Sequence, residues 1–181
     1  MTKRRALIVV AAVLSAVGGI AAATGSAAGG VNSFRASLTG YEETPAAIST
    51  PATGSFSARQ VSDGVFEYTL TYSELEADST QAHIHFGQAG TTGGIAIWLC
   101  SNLASPPTPP NTPPCPARGG TVTGTFSATN VVGPAGQGID PGQLDEVLAA
   151  VQAGVAYCNV HSQKYLPGEA RGQINRGSGR G

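Results

Sequence analysis

The stretch Val65-Phe66-Glu67-Tyr68-Thr69-Leu70-Thr71-Tyr72 decides the fold class of this chain. Large apolar side chains alternate here with polar ones, which is the period-2 pattern of a strand with one buried face. Similar alternations begin at Phe34 and Phe56, and glycine-containing turn signals separate the candidate strands. The remaining candidates cover residues 81–86, 94–100, 121–128, 154–161 and 169–174. Many short strands joined by such turns predict an all-β fold, a sandwich or a barrel.

One segment departs from the strand pattern. Asp140 and Pro141 predict a helix start, as an N-cap followed by a first-turn proline, and Gly154 predicts its end. The apolar positions between them recur at helical spacing: Leu144, Val147, Leu148 and Val151. We expect one short helix in the C-terminal third that covers an open end of the β-structure and has no functional role.

The N-terminus has the pattern of an export signal. Basic residues at Lys3, Arg4 and Arg5 precede an uncharged run that reaches Ala23, and small residues follow. This order predicts a signal peptide over residues 1–28, an exported domain over 29–176 and a flexible tail over 177–181. The alternative is an uncleaved membrane anchor, because the run approaches the length of a short bilayer span. Export predicts a periplasmic, cell-surface or secreted protein.

Charge excludes two classes of partner. The chain has ten basic and eleven acidic side chains, and removal of residues 1–28 takes three of the basic ones. The domain that remains is mildly acidic, and its arginines are scattered. It lacks the basic stripe of a nucleic-acid-binding protein and the polybasic patch of a lipid-binding one. We therefore expect no nucleic acid, no membrane association after cleavage, and an unknown protein or cell-surface partner.

Three cysteines are consistent with an oxidising compartment. Cys100 and Cys115 are predicted to form a disulfide at the base of a proline-rich insert, residues 103–116. Proline cannot donate ladder hydrogen bonds, so the insert is expected to be an extended, exposed loop. A ligand for a proline-reading domain is the alternative. Cys158 lies in an apolar alternation and is expected to be a buried, inert thiol, with a reactive or an intermolecularly paired thiol as the alternative.

The three histidines are the strongest candidates for chemistry. His83 and His85 occupy alternate positions of one predicted strand, and His161 lies in another. Residues two apart project from the same face of a strand, so both imidazoles of the pair can reach one ion. Three imidazoles suit copper or zinc better than calcium or magnesium. The alternative is a structural cluster of hydrogen-bonded histidines.

Several ordered motifs resemble one known family, the CHRD domain, first described in chordin. The motifs occupy residues 34–45, 54–56, 82–87, 157–162 and 167–174. This resemblance implies an immunoglobulin-like, Greek-key β-sandwich similar to copper/zinc superoxide dismutases, but it implies no settled biochemical function. It also implies that His83, His85 and His161 match copper ligands and that Arg171 matches an anion-guiding arginine. No histidine is left for a second, zinc-binding set.

The expected function is a non-enzymatic binding or structural module, with a copper- or zinc-binding metalloprotein, including a redox-active one, as the alternative. Phosphate loops, nucleophile elbows and credible acid-base pairs are missing from the sequence, so no catalytic residue is predicted. Glu169 and Arg171 are expected to alternate on the exposed face of the last strand, where an ion pair contributes little stability.

Overall fold

Nine strands and one α-helix are present in the computed structural model, which describes residues 33–105 and 107–177. The predicted signal peptide and the tail beyond residue 177 lie outside the described residues. The strands are β1 (Ser33–Thr39), β2 (Thr53–Ser62), β3 (Val65–Ser73), β4 (Ser79–Phe86), β5 (Gly94–Ser101), β6 (Gly120–Phe126), β7 (Ala156–Ser162), β8 (Ala170–Gln173) and β9 (Asn175–Arg176). The helix is α1 (Leu144–Gln152).

The alternation in β3 forms one side of the core. All four large apolar side chains of this strand are buried, while its polar side chains are exposed or half-buried. Phe66 packs against Phe34 and Phe126, with ring centroids 5.4 Å apart in each pair. Burying an aromatic or large aliphatic side chain contributes roughly 1.5–3 kcal/mol, so this cluster holds β1, β3 and β6 together.

The strands form one antiparallel sheet that nearly closes on itself. Their order is β5-β4-β7-β8-β1-β2-β3-β6, and β9 pairs with β1. The Tyr68 hydroxyl of β3 donates to the carbonyl of Leu99 in β5 at 2.6 Å, which links the terminal strand β5 across the core to the neighbour of the other terminal strand, β6. The all-β prediction is confirmed. Within the described ranges, no helix has the length and hydropathy required to cross a bilayer.

The predicted start of the helix is wrong, because α1 begins at Leu144 and not at Asp140. Gly142 has a left-handed backbone conformation, with φ of +92°, which interrupts a helix at that residue. Gln143 precedes the first helical turn, and its side chain accepts a hydrogen bond from the Asp140 amide. The predicted end is confirmed, since Gly154 has φ of +72°.

The predicted disulfide is present between Cys100 and Cys115, with Cα atoms 5.1 Å apart. Asn102 also bridges the base of the insert: its side chain accepts from the Cys115 amide and donates to the Cys115 carbonyl, each at 3.1 Å. Most described residues of the insert are exposed or half-buried, but Thr108 is buried against Ser101. The insert is therefore a folded loop rather than a fully extended one.

Candidate metal centre

Two neighbouring strands bring the three histidines together. β4 supplies His83 and His85, and the antiparallel partner β7 supplies His161. The alternate residues of β4, Ala82 and Ile84, lie in the hydrophobic core, as the period-2 pattern predicts. The histidine face of this sheet region is therefore the face that points away from the main core.

The ring nitrogens of the three histidines lie close together, and one pair has the spacing of a shared ion. One nitrogen from each imidazole lies within 4.8 Å of the other two. His83 Nδ1 and His161 Nε2 are 3.2 Å apart. Two nitrogens bound to one tetrahedral zinc at about 2.0–2.1 Å would be separated by about 3.3 Å. In the described part of the chain, this is the one group of three or more histidine, cysteine or carboxylate side chains with such spacing.

Backbone carbonyls determine which nitrogen of two of the rings is available. His85 Nδ1 donates to the Gly93 carbonyl at 3.0 Å, and His161 Nδ1 donates to the Leu166 carbonyl at 2.8 Å. In a neutral imidazole, a protonated Nδ1 leaves the lone pair on Nε2. Metal-binding histidines are oriented by such contacts to the second nitrogen. Both rings thus carry the lone pair on Nε2, and that of His161 accepts a hydrogen bond from His83 Nδ1 at 3.2 Å.

Two buried nitrogens have no hydrogen-bond partner among the described residues: Nε2 of His83 and Nε2 of His85. The side chain of His83 is fully buried, while those of His85 and His161 are 7% exposed. A buried polar atom without a partner costs roughly 1–3 kcal/mol, so this arrangement is unfavourable unless something binds the nitrogens.

Burial also keeps the cluster neutral. Loss of hydration lowers the pKa of all three imidazoles, that of His85 to about 3, and repulsion between the rings adds to the effect at His83 and His85. The neutral form is the one that binds metal. Three neutral nitrogen ligands fit copper or zinc and do not fit calcium or magnesium, which require oxygen.

Aromatic rings surround the cluster. Trp98 of β5 meets the His83 ring edge-on, with centroids 4.3 Å apart. The Tyr157 ring is parallel to the His85 ring, with centroids 4.7 Å apart. Their apolar faces limit the access of water to the imidazoles, which strengthens electrostatic interactions inside the site.

The predicted exposure of Glu169 and Arg171 is wrong, because both side chains are buried. β8 is an interior strand between β7 and β1, and segments outside the sheet cover its second face. The Glu169 carboxylate accepts hydrogen bonds from the Thr50 hydroxyl and the Glu76 amide, both at 2.8 Å. Neither Glu169 nor Arg171 forms an ion pair with another described residue.

Arg171, the predicted anion-guiding residue, lies next to the histidine site but is only 2% exposed. Its guanidinium donates to the Thr44 hydroxyl at 2.6 Å and to the carbonyls of Thr91 and Gln88 at 2.8 and 2.9 Å. It also lies over the Tyr157 ring, 3.5 Å from the centroid. These contacts occupy much of its donor capacity inside the protein.

The sequence did not indicate a buried polar pair beside the site. Asn159 donates to Glu43 at 2.6 Å, and both side chains are buried. Burial raises the pKa of Glu43 to about 7, although the charge of Arg171 acts in the opposite direction. In the sequence, Glu42 and Glu43 directly precede Thr44-Pro45, a pattern typical of a turn and not of a binding site. The position of Asn159 on the same strand face as His161 was the one available signal.

Cys158 lies on the opposite face of β7 from these residues. It is fully buried in the hydrophobic core and forms no disulfide. Burial raises the pKa of this thiol. The predicted burial is confirmed, and the thiol is separated from the histidine cluster by the strand itself.

Comparison with known proteins identifies the family. The model of the CHRD domain matches residues 34–174, which include β1, β4, β7 and β8 and all three histidines. No curated protein and no solved structure matches the chain. Because the family model covers most of the sequence, this chain belongs to the CHRD domain family.

Proposed function

We propose that this protein binds one copper or zinc ion through His83, His85 and His161. The observation that carries the proposal is the convergence of three buried, neutral imidazoles with one nitrogen each inside 4.8 Å. The unpartnered Nε2 of His85 supports it, because a bound ion would satisfy this buried acceptor. His83 offers one of its two nitrogens to the same ion. Hydrogen bonds from His85 and His161 to backbone carbonyls are the orienting contacts that such a site needs.

The proposed role is metal binding or sequestration rather than acid-base catalysis. Arg171 and Glu43, the two ionisable side chains described beside the cluster, are buried and already hydrogen-bonded. Copper in this ligand set would supply one-electron redox chemistry, whereas zinc would not. The protein's contribution is to hold three rings in place and to exclude water.

The proposal includes export by the signal peptide of residues 1–28 and a superoxide dismutase-like Greek-key version of the observed β-fold. The Cys100–Cys115 disulfide supports export, because disulfides persist in oxidising compartments. The adjacency of the His-x-His strand β4 and the Val-His strand β7 supports the dismutase-like arrangement.

The test is metal content. Residues 29–181, produced in a periplasm, should contain about one ion per chain by mass spectrometry after separate incubation with copper and zinc and removal of excess metal. His85→Ala and His161→Ala should lose most of that metal. Gln163→Ala is the matched control, because Gln163 is an exposed polar residue next to the same strand. A metal content far below one ion per chain in the folded wild type contradicts the proposal. A full metal content in both histidine variants also contradicts it.

A binding module without catalysis is the second candidate function. The outer face of β1, β2, β3 and β6 favours it, because this face is exposed and dense in hydroxyl groups. A groove of about 430 Å³ crosses it and is lined in part by Arg35, Ser57 and Thr69. Hydroxyl groups both donate and accept hydrogen bonds, so this face can bind a hydroxyl-rich polymer such as cell-wall polysaccharide, and Arg35, Arg59 and Glu67 add charged groups to the groove.

Co-sedimentation with purified cell-wall polysaccharide tests this second function. Wild type should sediment with the polymer, and Ser57→Lys and Thr69→Lys should sediment less. Lys164→Gln changes charge on an exposed residue outside the groove and serves as the control. Equal sedimentation of all four proteins, or none by wild type, contradicts a polysaccharide-binding role for this face.

A further inference from the structure

The loop at residues 87–93, between β4 and β5, is held by a buried arginine. Residues 88–92 are exposed, yet the carbonyls of Gln88 and Thr91 both accept hydrogen bonds from the Arg171 guanidinium. The same guanidinium donates to Thr44, in the segment that follows β1. Arg171 of β8 is thus hydrogen-bonded to two segments outside the sheet, and it holds both against the face that carries the histidines.

The same arginine contacts the histidine site through one tyrosine ring. Arg171 lies 3.5 Å from the Tyr157 centroid, and His85 stacks on Tyr157 with an angle of 1° between the ring planes. Because β7 lies between β4 and β8, the two groups approach the tyrosine from opposite sides. A guanidinium over an aromatic face is attracted to it, which favours this stacked order.

The end of the loop completes the connection. The Gly93 amide donates to the Tyr157 hydroxyl at 3.0 Å, and the Gly93 carbonyl accepts from His85 Nδ1 at 3.0 Å. Gly93 therefore orients the ring whose Nε2 is available, and its own position depends on a loop that Arg171 holds. The chain of contacts runs from Arg171 through both the loop and Tyr157 to His85.

We infer that Arg171 is a positioning residue that closes loop 87–93 over the metal site and fixes the orientation of His85. This inference rests on the proposed metal-binding function and differs from the anion-guiding role that resemblance to the dismutases implied. A guiding arginine must present donors to an entering anion. Arg171 instead donates to three protein oxygens and is buried.

The first experiment measures how fast metal leaves. Protein loaded with zinc is mixed with excess chelator, and metal transfer is followed for wild type, Arg171→Gln and Arg171→Lys. Loss of contacts that orient a ligand costs roughly 10–100-fold in metal affinity, so Arg171→Gln should release zinc at least about tenfold faster. Lysine restores the positive charge but not the forked donors of the guanidinium, so Arg171→Lys should release zinc at a rate between those of wild type and Arg171→Gln. Arg118→Gln removes an exposed arginine that is paired with Asp78, and this control should release zinc at the wild-type rate.

A milder variant keeps the inference testable if Arg171 variants fail to fold. Thr44→Val removes one acceptor of the guanidinium and leaves Arg171 in place. It should accelerate zinc release by a smaller factor than Arg171→Gln. Release at the wild-type rate in folded Arg171→Gln, or in Thr44→Val when the arginine variants do not fold, overturns the inference.

The second experiment uses metal-free protein, so that failure of metal binding is distinguished from failure of this inference. Nitrogen NMR of the imidazoles should show His85 protonated at Nδ1 in wild type and a mixture of tautomers in Arg171→Gln or Thr44→Val. Amide hydrogen exchange at Gly93 should be faster in the variants. An unchanged His85 spectrum and unchanged Gly93 exchange overturn the positioning role, whether or not wild type binds metal.

Discussion

At the residue scale, burial determines the chemistry of this protein more than residue type does. Loss of hydration is the largest cause of five pKa shifts, and each shift favours the uncharged form of a buried side chain. It lowers the pKa of the three imidazoles and raises the pKa of Glu43 and of Cys158. The pKa shifts of the histidines and of Glu43 have opposite effects on the pH dependence of stability. A histidine gains charge on protonation, so its lowered pKa destabilises the fold at low pH. A carboxyl group loses charge on protonation, so its raised pKa destabilises the fold at high pH.

Glu43 is expected to stabilise the fold at low pH. Its pKa is raised from 4.5 to about 7, so the folded state binds the proton more tightly than the unfolded state between these values. The contribution is complete below pH 4.5 and is lost as the pH rises to about 7. Its size is about 3 kcal/mol at most. Glu43→Gln has no ionisable group at this position, so this pH-dependent contribution to the free energy of unfolding is absent.

Urea denaturation of metal-free protein at a series of pH values measures this difference. The histidines destabilise the fold below their usual pKa of 6.5 in both proteins, so their effect cancels in the comparison. The stability of Glu43→Gln relative to wild type should rise from pH 4.5 to 7.5. Parallel pH profiles for the two proteins would show that the Glu43 carboxyl has an ordinary pKa.

Cys158 is expected to be chemically inert in the folded protein. Its thiol is fully buried and its pKa is raised, so little thiolate is present at neutral pH and reagents cannot reach it. Incubation with iodoacetamide at pH 8 should label less than about a tenth of the chains in native buffer and all of them in urea. Rapid labelling without denaturant would contradict this prediction.

At the element scale, strands with one exposed face and strands with two buried faces behave differently. β3 alternates between buried and accessible positions, and its sequence pattern predicts that arrangement directly. Every residue of β7 is buried. Loop 87–93 and the segment after β1 cover the polar face of β7 and β8, so the polar residues there lie inside the protein.

The end of α1 provides a prediction about backbone conformation. Gly154 has φ of +72°, and a Cβ there would meet no atom within 4 Å, so replacement by alanine tests strain alone. The left-handed region costs an L-residue roughly 1–2 kcal/mol, and Gly154→Ala should lower the free energy of unfolding by about that amount. Thermal or urea denaturation measures the loss.

Gly136→Ala is the matched control for this change. Gly136 has equally open space at its Cβ position but no positive φ. Its replacement should leave the free energy of unfolding within about 0.5 kcal/mol of wild type, as for other surface substitutions. Equal losses in both variants would show that the conformation of Gly154 is not the cause.

At the scale of the whole molecule, a nearly closed sheet is supported at its two ends by the core and by one disulfide. β5 and β6 are the terminal strands of the sheet order, and Cys100 at the end of β5 is joined to Cys115 shortly before β6. The disulfide thus restricts the separation of the chain segments that lead to both edges.

Removal of this disulfide is expected to destabilise the fold without changing it. A bridge between residues 15 apart stabilises by roughly 3 kcal/mol when its loop entropy is counted. The double variant Cys100→Ala/Cys115→Ala should therefore unfold at lower urea concentration than wild type. Reductant should bring wild type close to the variant and leave the variant unchanged. Equal midpoints for oxidised wild type and the variant would contradict the prediction.

The sequence by itself determined the fold class, most strand positions, the end of α1 and the shared face of His83 and His85, and it favoured the Cys100–Cys115 pair. The approach of His161 required the pairing of β4 with β7. These features depend on periodicity or on residues close along the chain, such as the alternation in β3 and the His-x-His spacing in β4. The start of α1 depended on the conformation of Gly142, which the favourable pattern at Asp140 and Pro141 concealed.

Only the tertiary structure decided which segments cover the histidine face of the sheet and which polar side chains contact one another under those segments. The contact of Glu43 with Asn159 joins residues 116 apart, and the contacts of Arg171 with loop 87–93 join residues 80 and 83 apart. Alternation in a strand distinguishes its two faces but does not reveal that a loop buries the second one. For this reason Arg171 was expected on an exposed face, whereas packing of distant segments makes it part of the interior beside the histidine cluster.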